Sequence, residues 1–318
     1  MKVIVTGGAG FIGSHLTRKL LTEGHEVLII DELHPYYSVA RKKRQLEFAR
    51  GAGEFAFIQK SLLNDEAEVK EIFLSYKPEM VIHLAAIPGV SHSIAAPNEY
   101  VDYDIKATIN ALRFAGQSNV KHFIFASSSS VYGEQKNVPL QEEMAIGKVV
   151  SPYAAAKFGA ESFCHAYSSL FDYKISILRF FTVYGPWGRP DMAITGFIKN
   201  LLNKQEITLF GNRTARDYTY IDDCITGIIS AFNQTERVGT YNIGSGKPIF
   251  IEELVEYLKQ HFPDISVKQS GFRQGDVNST WADISKAHQQ LGFSPSISFS
   301  EGLAKTIEWA KKHVSEIS

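Results

Sequence analysis

Three observations predict an α/β fold, a doubly wound parallel sheet carrying a smaller mixed α/β lobe. Six short apolar runs, KVIVTG, HEVLIID, FAFIQ, MVIHLAA, HFIFASS and YKISILRFF, alternate with amphipathic stretches through the first half of the chain. Runs that stay apolar throughout are strands buried on both faces, and crossover helices are the usual cover. The first run passes through a glycine-rich turn straight into a helical pattern. After Tyr184 the rhythm fails: the short strands ITLF, TYNIG and SVKQS mix with helices near residues 195–203, 252–261, 283–291 and 300–312. The segment DYTYIDDCITGIISAF, residues 217–232, is expected to pack back on the first lobe.

Bulk properties narrow the function. The 318 residues carry 33 Lys and Arg against 34 Asp and Glu, a formal charge of −1, so no global field draws the chain to nucleic acid or an anionic membrane. A small-molecule partner is expected. The two cysteines, Cys164 and Cys224, each sit in an apolar helical pattern without ligand-like neighbours, which predicts buried thiols, no disulfide and no metal. No secretory pattern precedes the first strand, and no apolar run nears the roughly 20 residues that span a bilayer. A cytoplasmic protein is expected.

Taken in chain order, the first element with chemistry is VTGGAGFIGSHL, whose Gly7, Gly10 and Gly13 lie between a strand and a helix. Glycines there let the backbone turn tightly and approach a pyrophosphate, and the helix start offers unpaired N–H groups to the anion. Asp31 closes the second strand 18 residues past Gly13, where a carboxylate accepts ribose hydroxyls and repels a 2′-phosphate. NAD is the expected cofactor and the sheet is of the Rossmann type. The basic run Arg41-Lys42-Lys43-Arg44 reads as a solvated helix face. FASSSSVYG ends a strand with Ser127 to Ser130 at the carboxyl edge of the sheet, where such folds bind ligands. SPYAAAKFGAE then places Tyr153 and Lys157 at i and i+4, on one face of a helix. An ammonium and an oxidised nicotinamide both favour a phenolate, and a phenolate serves as a base. Beyond these, LRFFTVYGPWGRPDMAI begins as a strand and breaks at Gly185-Pro186 into a loop dense in aromatic and basic residues.

Together, TGGAGFIGSHL, the serine strand with VYG, and the Tyr153/Lys157 spacing resemble the extended short-chain dehydrogenase/reductases, the NDP-sugar epimerase and dehydratase family, over essentially the whole chain. The resemblance implies that Ser128 assists Tyr153 and that Ser129 and Ser130 line the sugar pocket. It implies a cofactor site that also takes in Phe11, Ile12, Ser61, Leu62, Leu84, Ala85, Ala86, Phe180 and Val183, with Tyr153 and Lys157 at its reacting end. Arg216 in ARDYTYIDD and Arg273 in FRQGDVNSTWAD match the positions that hold the nucleotide diphosphate, and guanidinium forks suit phosphate, while Asp276 is expected elsewhere in the substrate site. Thr208 and Phe210 match the stretch that cradles uracil. One departure stands out: the family's usual asparagine near the cofactor is Asp104, in DIKAT. A homodimer through helices near 105–117 and 152–171 is the family's habit. The expected division is residues 1–178 with 217–245 for the NAD-binding domain, and 179–216 with 246–318 for the nucleotide-sugar lobe.

Three reactions share this scaffold, each beginning with hydride removal from sugar carbon 4. Dehydratases resemble one another in an acidic pair just before VYG, and decarboxylating relatives in a glutamate before the valine; Ser129 and Ser130 occupy those places. Epimerisation remains. The loop segment RFFTVYGPWGRPDMA resembles that of UDP-glucuronate 4-epimerases, which implies that Arg189 meets the sugar carboxylate and that Phe181 and Thr182 lie against cofactor and substrate. The alternatives are that Arg189 pairs with Asp191 or lies in solvent, or that the substrate is UDP-glucose or, since the small Thr280 leaves room for it, a UDP-N-acetylhexosamine. A dinucleotide-sensing module without catalysis has no need of Ser128, Tyr153 and Lys157 together.

Overall fold

In the computed structural model, which describes residues 1–211 and 213–317, seven strands form one parallel sheet. In chain order come β1 (Lys2–Thr6), α1 (Phe11–Thr22), β2 (Glu26–Ile30), α2 (Val39–Arg50), β3 (Ala56–Ile58), α3 (Glu66–Tyr76), β4 (Met80–His83), α4 (Val90–Ala95) and α5 (Pro97–Tyr100). A π-helical turn (Val101–Lys106) leads into α6 (Ala107–Gln117), followed by β5 (His122–Ser128), α7 (Pro152–Leu170), β6 (Lys174–Phe180) and β7 (Thr182–Tyr184). The remainder comprises α8 (Ala193–Leu202), β8 (Ile207–Phe210), β9 (Ala215–Tyr220), α9 (Ile221–Ser230), β10 (Val238–Ile243), β11 (Pro248–Phe250), α10 (Ile251–Lys259), β12 (Val267–Ser270), α11 (Ser285–Leu291) and α12 (Phe299–Lys312).

The sheet runs β3-β2-β1-β4-β5-β6-β10 with every neighbour parallel. Its order reverses between β1 and β4, and ligands bind outside the carboxyl ends of strands at such a switch point. Successive strand residues point to opposite faces, and both faces are dry. Val3, Val5, Val27 and Ile29 pack with Leu16 and Leu20 of α1 and Ile225 and Ile228 of α9. Ile4, Leu28, Val81 and Phe123 pack with Phe73 of α3, Phe114 of α6 and Cys164 of α7. Two covered faces explain why the strands read as continuous apolar runs. Both cysteines are buried and free.

The TYNIG run, grouped by rhythm with the strands that follow Tyr184, is β10 and edges the main sheet beside β6. Segment 217–232 divides. Its start lies in β9, which pairs with β7 and β11 in a separate three-stranded sheet, while α9 joins the core against α1. β8 and β12 form a further parallel pair.

The solvated face expected for the basic run is half wrong. Arg41 and Lys42 are buried, at 3% and 8% exposure, and only Lys43 and Arg44 face solvent. Helical spacing puts Arg41 and Gln45 on one face, and that face meets the 187–188 backbone. Arg41 donates to the Gly188 carbonyl (2.7 Å) and Gln45 to the Trp187 carbonyl (3.2 Å).

Candidate active site

A cleft of about 790 Å³ follows the carboxyl ends of β1, β2, β4, β5 and β6, in the upper part of the roughly 300–1,000 Å³ range of small-molecule pockets. The glycine turn forms its floor. Gly7 has φ +72°, and a Cβ there would lie 2.6 Å from the Ala85 amide nitrogen, while a Cβ at Gly13 would run into the Gly7 carbonyl. Only glycine allows the turn, the loop after β4 and the start of α1 to meet. Gly10 caps α1 without a side chain and no acid occupies the first turn, so its leading N–H groups are open to an anion. Asp31 is fixed at the end of β2, accepting from the Ala9 amide (3.0 Å) and the Leu33 amide (2.8 Å). Phe11, Ile12, Ser61, Leu62, Leu84, Ala85, Ala86, Phe180 and Val183 complete this half of the wall. The cradle a Cβ would fill, the open helix start and the carboxylate at the end of β2 fit a dinucleotide.

Sequence reasoning missed Lys42, whose ammonium lies 4.9 Å from the Tyr37 ring centre on the same wall. Burial lowers its affinity for the proton below the ordinary lysine value, and Asp31 and Glu32 pull the other way. A run of four basic residues gives no signal as to which of them turns inward.

The residues expected to be catalytic come from two adjacent elements. Ser151 caps α7, accepting from the Ala154 amide (3.2 Å), and Pro152 starts the helix. Tyr153 therefore falls in the first turn, on the cleft wall, with its ring edge-on to Tyr100 at 5.9 Å. Lys157, one turn later and 4% exposed, donates to the Ala126 carbonyl of β5 (3.1 Å). Ser128 ends β5 and accepts from the amide (3.2 Å) and hydroxyl (3.0 Å) of Ser130. Ser129 and Ser130 share the wall. Ser127 instead donates to Glu161 (2.5 Å), which forms a buried bidentate pair with Arg179 at 2.9 and 2.7 Å. That pair bonds the end of β5 to β6 and α7. Its members lie 18 residues apart on different elements, a relation no local pattern announces.

At the other end, Phe181, Thr182, Arg189, Arg216, Arg273, Asp276 and Thr280 line the cleft. Arg216 is steadied by the Ala215 and Asn278 carbonyls (2.9 and 3.3 Å). Thr208 and Phe210 do not reach the cleft wall: they belong to the β8/β12 pair, and the Arg273 guanidinium covers the Phe210 ring at 3.6 Å.

The 185–191 loop is built to hold a shape. Gly185 has φ +148°, and a Cβ there would lie 2.6 Å from Ile221. Trp187 has φ +63°, costly for a bulky side chain. It is retained because the ring is buried against Phe48, Trp309 and the Arg41 guanidinium. Arg189 projects from this loop and pairs with Asp191 through Nε (3.0 Å) and Nη2 (2.6 Å), while Tyr36 donates to the same carboxylate (3.1 Å). This is the pairing weighed above as the alternative for Arg189. Burial opposes ionisation of Asp191, but the guanidinium beside it holds the carboxyl below its usual range. Nη1 is the nitrogen the pair does not use. Arg189 also lies within electrostatic reach of Tyr153.

The family model described as the NAD dependent epimerase/dehydratase family matches residues 3–244. A UDP-glucuronate 4-epimerase from Thermodesulfobacterium geofontis is 41% identical over 314 residues, spanning 98% of this chain and 96% of that protein. The crystal structure of a UDP-glucuronic acid 4-epimerase from Bacillus cereus, in complex with UDP-glucuronic acid and NAD, matches with a TM-score of 0.89 at 36% identity, covering 98% and 99% of the two chains. A UDP-glucose 4-epimerase from Thermotoga maritima with UDP-glucose gives 0.90 at 31% identity, covering 99% and 100%.

Proposed function

The chain belongs to the NAD dependent epimerase/dehydratase family, and from that premise we propose that it converts UDP-glucuronate to UDP-galacturonate by inverting carbon 4 through a transient 4-keto sugar. It is an NAD-dependent nucleotide-sugar 4-epimerase; the carboxylated sugar is our reading. Gly7, Gly10, Gly13 and Asp31 would hold NAD, which when bound accepts the carbon 4 hydride and returns it.

The residues of the chain do the rest. Tyr153 takes the proton of the 4-hydroxyl and gives it back, a role typically worth ~10²–10⁴-fold in rate. Lys157, held by the Ala126 carbonyl, keeps a positive charge under the phenol, and Ser128 bridges phenol and sugar oxygen. Arg216 and Arg273 grip the diphosphate, so the keto sugar turns over without leaving. Ser129 and Ser130 supply neither the acid nor the base that dehydration and decarboxylation relatives carry before Val131.

The observation that carries the choice of sugar is Arg189: a guanidinium on the cleft wall, within electrostatic reach of Tyr153, on a loop whose backbone is held by Arg41 and Gln45. Asp191 orients it and leaves Nη1 for a substrate carboxylate. A 4-keto-glucuronate is a β-keto acid, and it loses carbon dioxide most readily when the carboxylate bond aligns with the carbonyl π system. A clamped carboxylate is kept from that alignment. Arg189→Ala is expected to weaken UDP-glucuronate turnover by a charge-assisted hydrogen bond, about 1.5–3 kcal/mol in kcat/KM, with UDP binding unchanged. Escape of the intermediate should yield pentose products and stranded NADH, seen as rising near-ultraviolet absorbance. Kinetics untouched by the substitution would end the role of Arg189. A second reading, a UDP-N-acetylhexosamine substrate, is favoured by Thr280, a small side chain on the same wall.

A further inference from the structure

We propose that Asp104 is a positioning residue of the catalytic centre, the counter-ion that faces Lys157 from the interior and moderates the field its ammonium exerts on Tyr153. The proposal rests on the reading of Tyr153 and Lys157 as the acid-base pair. Asp104 lies in the π-helical turn between α5 and α6, a conformation that is rare and gathers at functional sites. It is fully buried. Oδ1 accepts from the Ile87 amide at 2.8 Å, whereas Oδ2 has no hydrogen-bond partner among the described residues and lies 3.8 Å from Lys157 Nζ. A buried carboxylate oxygen without a donor is costly unless an opposite charge faces it. Lys157 is that charge, and the asparagine expected here by resemblance would bring none.

The surroundings contain few competitors. From β4, His83 bonds Thr108, which in turn donates to the Asp104 carbonyl, and burial followed by Lys157 drives His83 down to about 3, so its ring is neutral. From α5, burial pushes the Tyr100 phenol far above its ordinary value, with Asp104 adding to the rise. On its own turn, Asp102 and Lys106 pair with each other at 2.7 Å on the solvent side. α7 contributes Lys157 and, beyond it, Tyr153. Burial raises the Asp104 carboxyl to about 6, against the pull of Lys157. Above that pH its negative charge offsets the ammonium as felt at the phenol; below it, the offset disappears.

Asp104→Asn tests this, because the amide oxygen can still accept from Ile87. The acid limb of the kcat/KM profile, measured with whichever UDP-hexose turns over, is expected to move to lower pH by about one unit, the order of one charge acting through an effective dielectric near 20. It should also sharpen to a single-proton slope, since the wild-type limb is shared between coupled groups. NAD content should be unchanged. A limb that does not move overturns the proposal, whatever happens to thermal stability. Should the variant fail to fold, carbon-13 NMR of labelled aspartate in the wild type should show a carboxyl titrating near pH 6, and in Lys157→Met its midpoint should rise. An unchanged midpoint overturns the ion pair. That titration needs no substrate, so its failure is distinct from a failure of the functional reading, which absence of turnover with every UDP-hexose would show.

Discussion

Tyr153 owes its place to two neighbours, the Ser151 cap and Pro152, which start α7 one residue before it. Because cap, start and the four-residue step to Lys157 are all local, the pair was legible in the sequence; so were the glycine turn and Asp31, whose meaning follows from spacing along one strand-turn-helix unit. Tyr153→Phe is expected to lower kcat by at least ~10²–10⁴-fold, with affinity for the nucleotide sugar retained, since the anchoring is proposed to come from Arg216 and Arg273. Single-turnover kinetics beside calorimetric titration separate the two effects, and near wild-type turnover would remove the phenol from the mechanism. The Glu161–Arg179 pair and Asp104's facing of Lys157 were not legible, because each joins residues brought together only when the helices dock on the sheet.

At the scale of elements, α2 is the surprise. A polar, basic helix reads as solvent-facing, yet its Arg41 and Gln45 hold the backbone that presents Arg189. Their partners are carbonyls of a loop some 140 positions away, and carbonyls leave no mark in a sequence. Arg41 also keeps Nε and Nη1 buried without hydrogen-bond partners among the described residues, so the side chain is retained at a cost. Arg41→Met keeps the stem and removes the bond to the Gly188 carbonyl. The expected result is a loss of about 1–3 kcal/mol in kcat/KM for UDP-glucuronate, with little change in UDP affinity, and the same assay on Arg189→Ala and on the double variant should show the two effects to be non-additive. Full additivity would mean that α2 does not act through the loop.

For the whole molecule, composition and topology say different things. A net charge of −1 says nothing of a cleft end where Arg216 and Arg273 line the wall and Arg189 is paired with Asp191. The parallel sheet was legible because burial on both faces makes its strands uniformly apolar; the three-stranded sheet of β7, β9 and β11 was not, being made of short strands that pair across long separations. We keep as a proposal the division into residues 1–178 with 217–245 and the remainder, supported by β10 at the sheet edge and α9 against α1, with β9 lying instead in the smaller sheet. Among the described residues no helix is long and apolar enough to cross a membrane, and no cluster of ligating side chains could hold a metal ion. The cleft is where the central claim is decided. The most direct measurement is proton NMR of the products when the purified protein meets UDP-glucuronate, UDP-glucose and UDP-N-acetylglucosamine in one mixture. The account predicts that UDP-galacturonate accumulates first and that Arg189→Ala slows its formation while sparing any conversion of the neutral sugars. Equal epimerisation of UDP-glucose, slowed alike by the Arg189 substitution, would contradict it.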